Sequence, residues 1–412
     1  MSYVRGSCGR KTPYEKKYSR KGQEQEEWAL EKAAFDTAAQ EVSAVDSILE
    51  QLEARSAEGR ALGLRNLVRT LRERTYDEEQ LGASARVLTD AVLGRVRVGA
   101  GAEAVLALDA LEVLALALGG DAALLARAQP RVEAVALTPA PAALPPEQQA
   151  VVAAAVRALG TLAFFCGDDA DAVAATVAHL DALVAVEPRA AAQPVVAAAL
   201  GAWELVHTAT GGGDYDTAYF TQCAQAAWAH LASERATCDT RMAAARALAL
   251  VFARVAEAGD TVADLRDAWP VAPERFRDVF EECAYGAEHA RADRAREQPL
   301  FRALAAWMLE GEELPAESLT LRGGRVVFAS WAILARLNTC RRVLGPGLLA
   351  HLCENPLLPD VLQYVVPEDR KQHTSKQQKR LQRSPCSAAA KAQTQQRAKS
   401  RDQASFSFSD DF

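Results

Sequence analysis

The sequence is short of the features that mark secreted, membrane-embedded and zinc-binding proteins. Its eight cysteines stand singly, with no Cys-x-x-Cys pair among them, so we expect reduced thiols that are mostly core residues. Its apolar runs, such as 104–118, are interrupted by charged residues and fall short of the roughly 18 residues that a membrane span requires. The first thirty residues are polar and lack the apolar segment of a signal peptide. We therefore expect a cytoplasmic chain with no membrane partner, and a nuclear pool stays open.

Signatures of catalysis are equally scarce. The chain contains no Gly-Lys pair and therefore no P-loop, and Gly99-Ala100-Gly101 lacks the third glycine of a dinucleotide-binding loop. The six histidines are far apart and show no metal-ligand spacing. His351 and Cys353 are two residues apart on a predicted helix, so they do not share a face. We predict a non-enzymatic protein with no cofactor, no metal and no small-molecule substrate.

The charge is unevenly divided along the chain. The whole chain carries −7, residues 1–22 carry +6, and residues 370–401 carry +10 without a single acid, so the remainder carries −23. Because an acidic body repels polyanions, we expect any nucleic-acid contact to involve the two basic segments. A basic run is also typical of a solvated surface or a nuclear localisation signal. Polyanion binding is favoured at the C-terminus, since ten cations in thirty-two residues repel one another without a partner.

From about residue 23 to residue 310 the pattern is helical, and strand signals are nearly absent. Turn-forming residues interrupt it about every 15 to 22 residues, which is an ordinary helix length. Paired Ala/Leu-rich helices of this kind predict an all-α solenoid of the armadillo or HEAT type, and a single non-repetitive α-domain is the alternative. The predicted pairs are 78–97 with 102–118, 121–136 with 147–166, 169–186 with 190–209, and 216–233 with 239–258.

The pattern changes at Gly311. Residues 318–328 predict a short hairpin with glycines at its turn, and Ser330 is a candidate N-cap for a helix that ends at 344–347. Two shorter helices, at 348–353 and 357–364, complete what we call the C-terminal module, residues 311–366. The predicted organisation is therefore a basic arm at 1–22, a solenoid at 23–310, the C-terminal module, and a basic tail at 367–412.

The basic tail contains strong helix formers after Ser384-Pro385, a favourable helix start. Its cations point in several directions around a helix axis, so such a helix has no apolar face with which to dock on its own protein. We expect it to be helical only when a polyanion surrounds it. The run of cations contains no Tyr or Trp, so phosphate contacts should dominate over base stacking.

Several motifs near the C-terminus are specific. They are Glu317-Ser318-Leu319 before the Gly323-Gly324 turn, Ser330-Trp331, the segment 342–347, the segment 351–358, and Lys391-Ala392-Gln393-Thr394-Gln395 in the tail. Together they resemble the C-terminal region of the interferon-related developmental regulator family. Upstream, 65–71 and 247–252 are similar to that family's N-terminal helical domain. The sequence departs from the family pattern at Pro346, Pro356 and Gln393, where Ser, Glu and Arg are common.

The resemblance implies an armadillo-like fold without enzymatic activity, and two functions of different classes. In the first, the protein binds translationally inactive ribosomes, with the solenoid in a tRNA site and the basic C-terminal helix in the mRNA channel. In the second, it is a nuclear transcriptional co-regulator that scaffolds deacetylase complexes through co-repressor proteins. The cationic, non-amphipathic tail favours the first, because a co-repressor peptide normally needs apolar anchors. Ser405-Phe406-Ser407-Phe408 is a candidate for such anchors, so the second stays open.

The first hypothesis describes a stoichiometric inhibitor that binds ribosomal RNA and ribosomal proteins, with most of the electrostatic affinity contributed by the tail through counterion release. The predicted RNA-phosphate contacts are Lys376, Lys379, Arg380, Arg383, Lys391, Arg397, Lys399 and Arg401. Three residues are predicted as structural anchors of the C-terminal module: Trp331 as a core residue, and Gly345 and Gly347 at the turn that ends its first helix.

Overall fold

A computed structural model describes residues 45–76, 78–97, 101–209, 217–257, 273–285, 291–314 and 316–367. Across these ranges the chain is helical except for one two-stranded hairpin and the connecting turns. This confirms the predicted all-α solenoid class. The basic arm, the first part of the predicted solenoid and the tail beyond residue 367 lie outside the described residues.

The helices before the hairpin follow one another with short connections, and residues 45–52 are also helical. They are α1 Ala57–Glu73, α2 Glu78–Leu93, α3 Ala102–Ala117, α4 Ala122–Ala136, α5 Pro146–Cys166, α6 Ala170–Val184, α7 Gln193–His207, α8 Thr217–Leu231, α9 Cys238–Glu257, α10 Pro273–Tyr285 and α11 Arg291–Glu310. The four predicted helix pairs are therefore α2 with α3, α4 with α5, α6 with α7, and α8 with α9. Members of each pair pack against each other, as predicted.

The odd-numbered helices form an inner layer and the even-numbered helices an outer layer. Helices α1, α3, α5, α7, α9 and α11 pack successively side by side, while α4, α6, α8 and α10 each pack on the inner helix that follows them. Inner helices are covered on two sides, and they are apolar on most faces: in α5 nearly every residue after Ala150 is buried. The outer helix α6 buries only Thr176, Leu180 and Val184, the single stripe expected of a surface helix.

Among the described helices, only α5 has the length and composition expected of a membrane-spanning segment. This helix, Pro146–Cys166, is long and apolar enough to cross a membrane by length and composition. The interrupted apolar runs of the sequence had led us to expect no such helix. However, 78% of its most apolar window is buried within the protein, as expected for the central helix of a helical core. Four of the six described cysteines are likewise buried, and all six are free thiols, as predicted: Cys166, Cys223, Cys238, Cys283, Cys340 and Cys353.

The C-terminal module has the predicted order of elements. Strands β1 Glu317–Leu321 and β2 Gly324–Phe328 form the hairpin, followed by α12 Trp331–Leu344, a 3-10 turn at Gly345–Gly347, α13 Leu348–Glu354 and α14 Leu357–Val361. The Ser330 hydroxyl accepts a hydrogen bond from the Ile333 backbone N–H at 3.4 Å, so Ser330 is the N-cap of α12.

The C-terminal module packs on the inner layer of the solenoid. Helix α12 contacts α3, α7 and α9, and the 3-10 turn and α13 contact α1. The described residues up to Leu321 and from Arg325 to Val366 consequently form one compact unit. The C-terminal module therefore covers part of the inner surface of the solenoid.

Candidate functional site

Polar side chains join the middle of the module to the inner helices. Trp331 donates from Nε1 to Glu204 Oε1 at 3.1 Å, which links α12 to α7. Arg342 donates from Nη1 to Glu112 Oε2 at 2.6 Å, and the Thr161 hydroxyl donates to Glu112 Oε1 at 3.1 Å. Glu112 is only 3% exposed. Helices α3, α5 and α12 therefore meet at one buried carboxylate that is hydrogen-bonded on both oxygens, as a buried charge requires.

The end of α12 and the residues after it are attached to α1 and α3. Arg72 donates from Nε to the Val343 carbonyl at 2.6 Å, and buried His351 donates from Nε2 to the Leu71 carbonyl at 3.0 Å. Asn355 donates from Nδ2 to the Leu116 carbonyl at 2.9 Å. These three carbonyls lie at helix C-termini, where carbonyl groups have no partner within their own helix. The module thus supplies donors to the ends of α1 and α3, and α1 supplies a donor to the end of α12.

A third attachment involves arginine guanidinium groups around the end of α7. Arg336 donates from Nε to the Thr208 hydroxyl at 3.0 Å and from Nη1 to the Val361 carbonyl at 2.9 Å. Arg254 donates from Nη2 to the carbonyls of His207 and Thr208 at 3.1 Å and 2.9 Å. Burial lowers the pKa of Arg336. Arg336 thus attaches through hydroxyl and carbonyl oxygens, while Arg254 also pairs with the Glu257 carboxylate at 2.8 Å.

Beside these attachments lies an open cavity of about 690 Å³, which we call the inner groove. Helices α5, α7 and α9 form its floor, and α12 forms one wall. The lining positions on each floor helix follow a spacing of three or four residues, so each helix presents one face to the groove. The floor carries many small apolar side chains: Ala150, Ala153, Ala197, Ala198, Gly201, Ala202 and Ala243.

Four arginines stand in the inner groove: Arg157, Arg246, Arg296 and Arg342. Arg296 pairs with Asp239 at 2.6 Å, and Arg157 lies 3.9 Å from Asp109. Burial, and secondarily the nearby Glu112 carboxylate, raises the pKa of Asp109. Burial also raises the pKa of Glu204 to about 7, although Arg246 and the hydrogen bond from Trp331 act in the opposite direction. The groove is therefore richer in fixed positive charge than a body of net −23 suggests.

A second, smaller cavity of about 270 Å³ continues this arrangement toward α1. It is lined by Arg65, Arg69 and Arg72 together with Asp109 and Pro346. These arginines are spaced by four and three residues, so they share one face of α1. Asp109 lies on α3 between the two cavities. The positive charges of Arg157 and Arg342 on one side and of Arg72 on the other each lower the pKa of its carboxyl group, against the larger effect of burial.

A buried cluster of titratable groups lies away from both cavities. The Tyr219 hydroxyl lies 2.9 Å from Asp181 Oδ1 and 2.8 Å from His207 Nε2, and Trp203 donates to Asp181 Oδ1 at 2.9 Å. Burial raises the pKa of Asp181 and lowers that of His207 to about 4. None of these residues lines either cavity. The cluster joins α6, α7 and α8 and is best explained as a structural hydrogen-bond network.

The structure places only part of the predicted site. The eight predicted phosphate-binding cations, from Lys376 to Arg401, lie outside the described residues. Trp331 is 5% exposed and stacks on Trp307 with ring centroids 6.0 Å apart. Gly345 has a positive φ of 52°, and Gly347 is so close to α1 that a Cβ atom there would lie 1.6 Å from the Arg72 carbonyl oxygen. Within the described ranges, no group of three His, Cys, Asp or Glu side chains is arranged to hold a metal ion.

Sequence reasoning missed the inner groove. Its arginines come from α5, α9, α11 and α12, and they lie up to 185 positions apart in the chain between Arg157 and Arg342. The smaller cavity did have a local signal, the spacing of Arg65, Arg69 and Arg72 on α1. Their common face was a detectable pattern, but its meeting with the C-terminal module was not.

The fold and the groove define a helical-repeat protein whose C-terminal module is fixed on the inner surface of the solenoid. The chain belongs to the interferon-related developmental regulator family: the model of that family matches residues 12–272, and the model of the interferon-related protein conserved region matches residues 355–405. This confirms the resemblance noted in the sequence, and the fold fits a non-enzymatic protein. No curated protein matches the chain significantly.

Proposed function

We propose that this protein is a non-enzymatic factor that binds translationally inactive ribosomes. In this proposal the solenoid occupies a tRNA site and the basic tail, helical when bound, occupies the mRNA channel. The observation that supports it most directly is the overlap of the conserved region, residues 355–405, with all eight predicted phosphate-binding cations. A family-specific segment that carries a high density of cations and no acid over residues 370–401 suits an RNA-lined channel.

The module's attachments support a positioning role for the residues before the tail. Asn355 and His351 bond to the inner layer directly, and Arg336 joins Val361 of α14 to Thr208 at the end of α7, all through buried or half-buried hydrogen bonds. The tail follows this fixed segment directly in the sequence. A fixed starting point lowers the entropy cost of placing a long segment in a channel. We therefore assign the module the role of fixing where the tail begins.

The test is sedimentation through a sucrose gradient of the tagged chain from growing and starved cells. We expect the intact chain to migrate with non-translating ribosomes, and truncation of residues 367–412 to move it to the top of the gradient. Replacing the eight cations with Gln should have the same effect at moderate salt, because each lost phosphate contact removes released counterions. The matched control exchanges Lys for Arg and Arg for Lys at the same eight positions, which keeps the charge and should preserve binding.

Binding that persists in the Gln variant would assign ribosome attachment to the solenoid instead of the tail. The co-regulator is the second candidate, and the Phe406 and Phe408 side chains near the C-terminus favour it because they offer the apolar anchors that a co-repressor contact needs. For that function we expect the chain at the top of the gradient in both growth states, a nuclear pool, and loss of co-repressor association on replacing both phenylalanines with Ser.

A further inference from the structure

The floor of the inner groove is open to solvent and is formed largely by small side chains. Helix α7 contributes Ala197, Ala198, Gly201 and Ala202 to it. A Cβ atom built at Gly201 would have no neighbouring heavy atom within 4 Å, so the space above this position is free. Small side chains leave room for the backbone of a bound segment to approach the helix closely. The floor is therefore shaped for an extended chain that lies across α5, α7 and α9.

The groove's charges are arranged in two levels. Glu204, which lines the groove, and Glu112 beside it are buried, at 6% and 3% exposure, whereas Asp239 at the edge is exposed and pairs with Arg296. The arginines lie nearer the solvent: the Arg342 side chain is 39% exposed and the Arg157 side chain is 32% exposed. Arg246 makes no hydrogen bond within the described ranges, and the carboxyl group whose pKa it lowers, Glu204, is already bonded to Trp331. The lining therefore contains four arginines against two carboxyl groups, those of Glu204 and Asp239.

We propose that the inner groove binds a short, extended acidic peptide of a partner protein. Its carboxylates pair with Arg157, Arg246 and Arg342, and its small apolar side chains pack on the alanine-rich floor. Guanidinium groups bind carboxylates through two parallel hydrogen bonds, and the floor supplies the apolar contacts that a peptide uses and a phosphate backbone does not. The lining contains no aromatic side chain on which a base could stack. These features favour an acidic peptide over RNA.

This inference is independent of ribosome binding by the tail, because it involves only residues of the described solenoid and α12. The probe is a fluorescein-labelled eight-residue peptide of alternating Glu and Ala, compared by fluorescence anisotropy with the same peptide carrying Gln in place of Glu. With the full-length chain at low salt we expect the Glu peptide to bind at least tenfold more tightly than the Gln peptide. The difference should shrink as salt rises, since part of the groove is open to solvent.

Two variants act on the groove by different routes. Gly201→Leu fills the space above the floor, and Arg246→Gln removes the unbonded guanidinium; each should weaken binding of the Glu peptide about tenfold or more. Their controls are Ala134→Leu, which adds a bulky side chain at an exposed position of the outer helix α4, and Arg131→Gln, which removes an exposed arginine from the same helix. Both controls should bind the peptide within twofold of the unmodified chain. Circular dichroism and thermal melting establish that each variant is folded.

Three results would overturn the proposal. One is equal binding, or no binding, of the Glu and Gln peptides. Another is a Glu-peptide affinity that both Gly201→Leu and Arg246→Gln leave unchanged. The third is a twelve-nucleotide uridine RNA that binds with the same dependence on Arg246 and displaces the peptide, which would assign the groove to nucleic acid. Loss of ribosome sedimentation in the tail variants alone would not affect any of these readings.

Discussion

The indole N–H of Trp331 donates a hydrogen bond to the buried carboxyl group of Glu204 across 3.1 Å. The two residues are 127 positions apart, and this bond joins the C-terminal module to the central inner helix of the solenoid. A carboxyl group is an unusual acceptor to bury, and burial raises its pKa to about 7 from an ordinary 4.5. The stability of this contact should therefore depend on pH in the physiological range.

We predict that Glu204 makes the fold less stable as the pH rises. Its pKa is higher in the folded state than in the unfolded chain, so the folded state binds the proton more tightly. Stability is greatest below about pH 4.5 for this group alone, falls between pH 4.5 and about 7, and is constant above. The full effect is about 3 kcal/mol. Measuring the free energy of unfolding by denaturant at pH 5, 6, 7 and 8 tests it.

The comparison with Glu204→Gln isolates this group from others that titrate, among them Asp109 and Asp181. The amide oxygen of Gln still accepts from Trp331 but does not titrate. The unmodified chain should lose stability relative to the variant as the pH rises from 5 to 8. A difference that stays constant over this range would show that Glu204 keeps an ordinary pKa.

Trp331→Ala should destabilise the folded chain by about 3 to 5 kcal/mol, the usual cost of removing a large buried aromatic ring. Its ring is 5% exposed and stacks on Trp307, so the substitution leaves a cavity and a carboxyl group without its donor. Trp331→Phe keeps most of the apolar volume and removes the N–H, and it should cost less. Thermal melting followed by circular dichroism measures both. A melting curve unchanged in Trp331→Ala would remove this residue from the core.

Gly347→Ala should detach the 3-10 turn from α1. An added Cβ would lie 1.6 Å from the Arg72 carbonyl oxygen, so the two backbones must separate, at a cost of about 2 to 3 kcal/mol. The matched control is Gly201→Ala, where the methyl group enters free space and alanine favours the helix by up to about 1 kcal/mol. Denaturant unfolding should show opposite signs for the two variants. Equal stability of Gly347→Ala and the unmodified chain would mean that the turn does not rest on α1.

The helices could be predicted from the sequence because their signals are local. Gly119-Gly120 separates α3 from α4, Ser330 caps α12, and the glycines of 323–324 form the hairpin turn, each within a few residues of what it controls. Periodic apolar residues and turn residues carry this information without reference to the rest of the chain.

The meeting of the module with the inner layer could not be predicted in the same way. Arg342 and Glu112 are 230 positions apart, and His351 and Leu71 are 280 apart. The spacing of residues along one helix shows which of its faces is buried, but it does not show which other helix packs on that face. Net charge also gave a wrong expectation for this surface. The body carries −23 in total, but a total does not show that four arginines line one cavity while most acids lie elsewhere.

The ion pair of Arg241 and Glu297 gives a further test of how the inner layer is held together. Arg241 donates from Nε and Nη2 to Glu297 Oε1 at 2.9 Å and 2.6 Å, which joins α9 to α11, and the Glu297 side chain is fully buried. Arg241→Met leaves a buried carboxylate without its cation and should cost about 3 to 5 kcal/mol in unfolding free energy. The double variant Arg241→Met/Glu297→Met removes both charges and should recover most of that loss, because apolar replacements of a buried pair are often neutral.

Denaturant unfolding of Arg241→Met, of Glu297→Met and of the double variant gives the coupling energy between the two side chains. If the loss of unfolding free energy in the double variant equals the sum of the losses in the two single variants, the coupling energy is zero. The Arg241–Glu297 pair would then contribute nothing to holding α9 against α11.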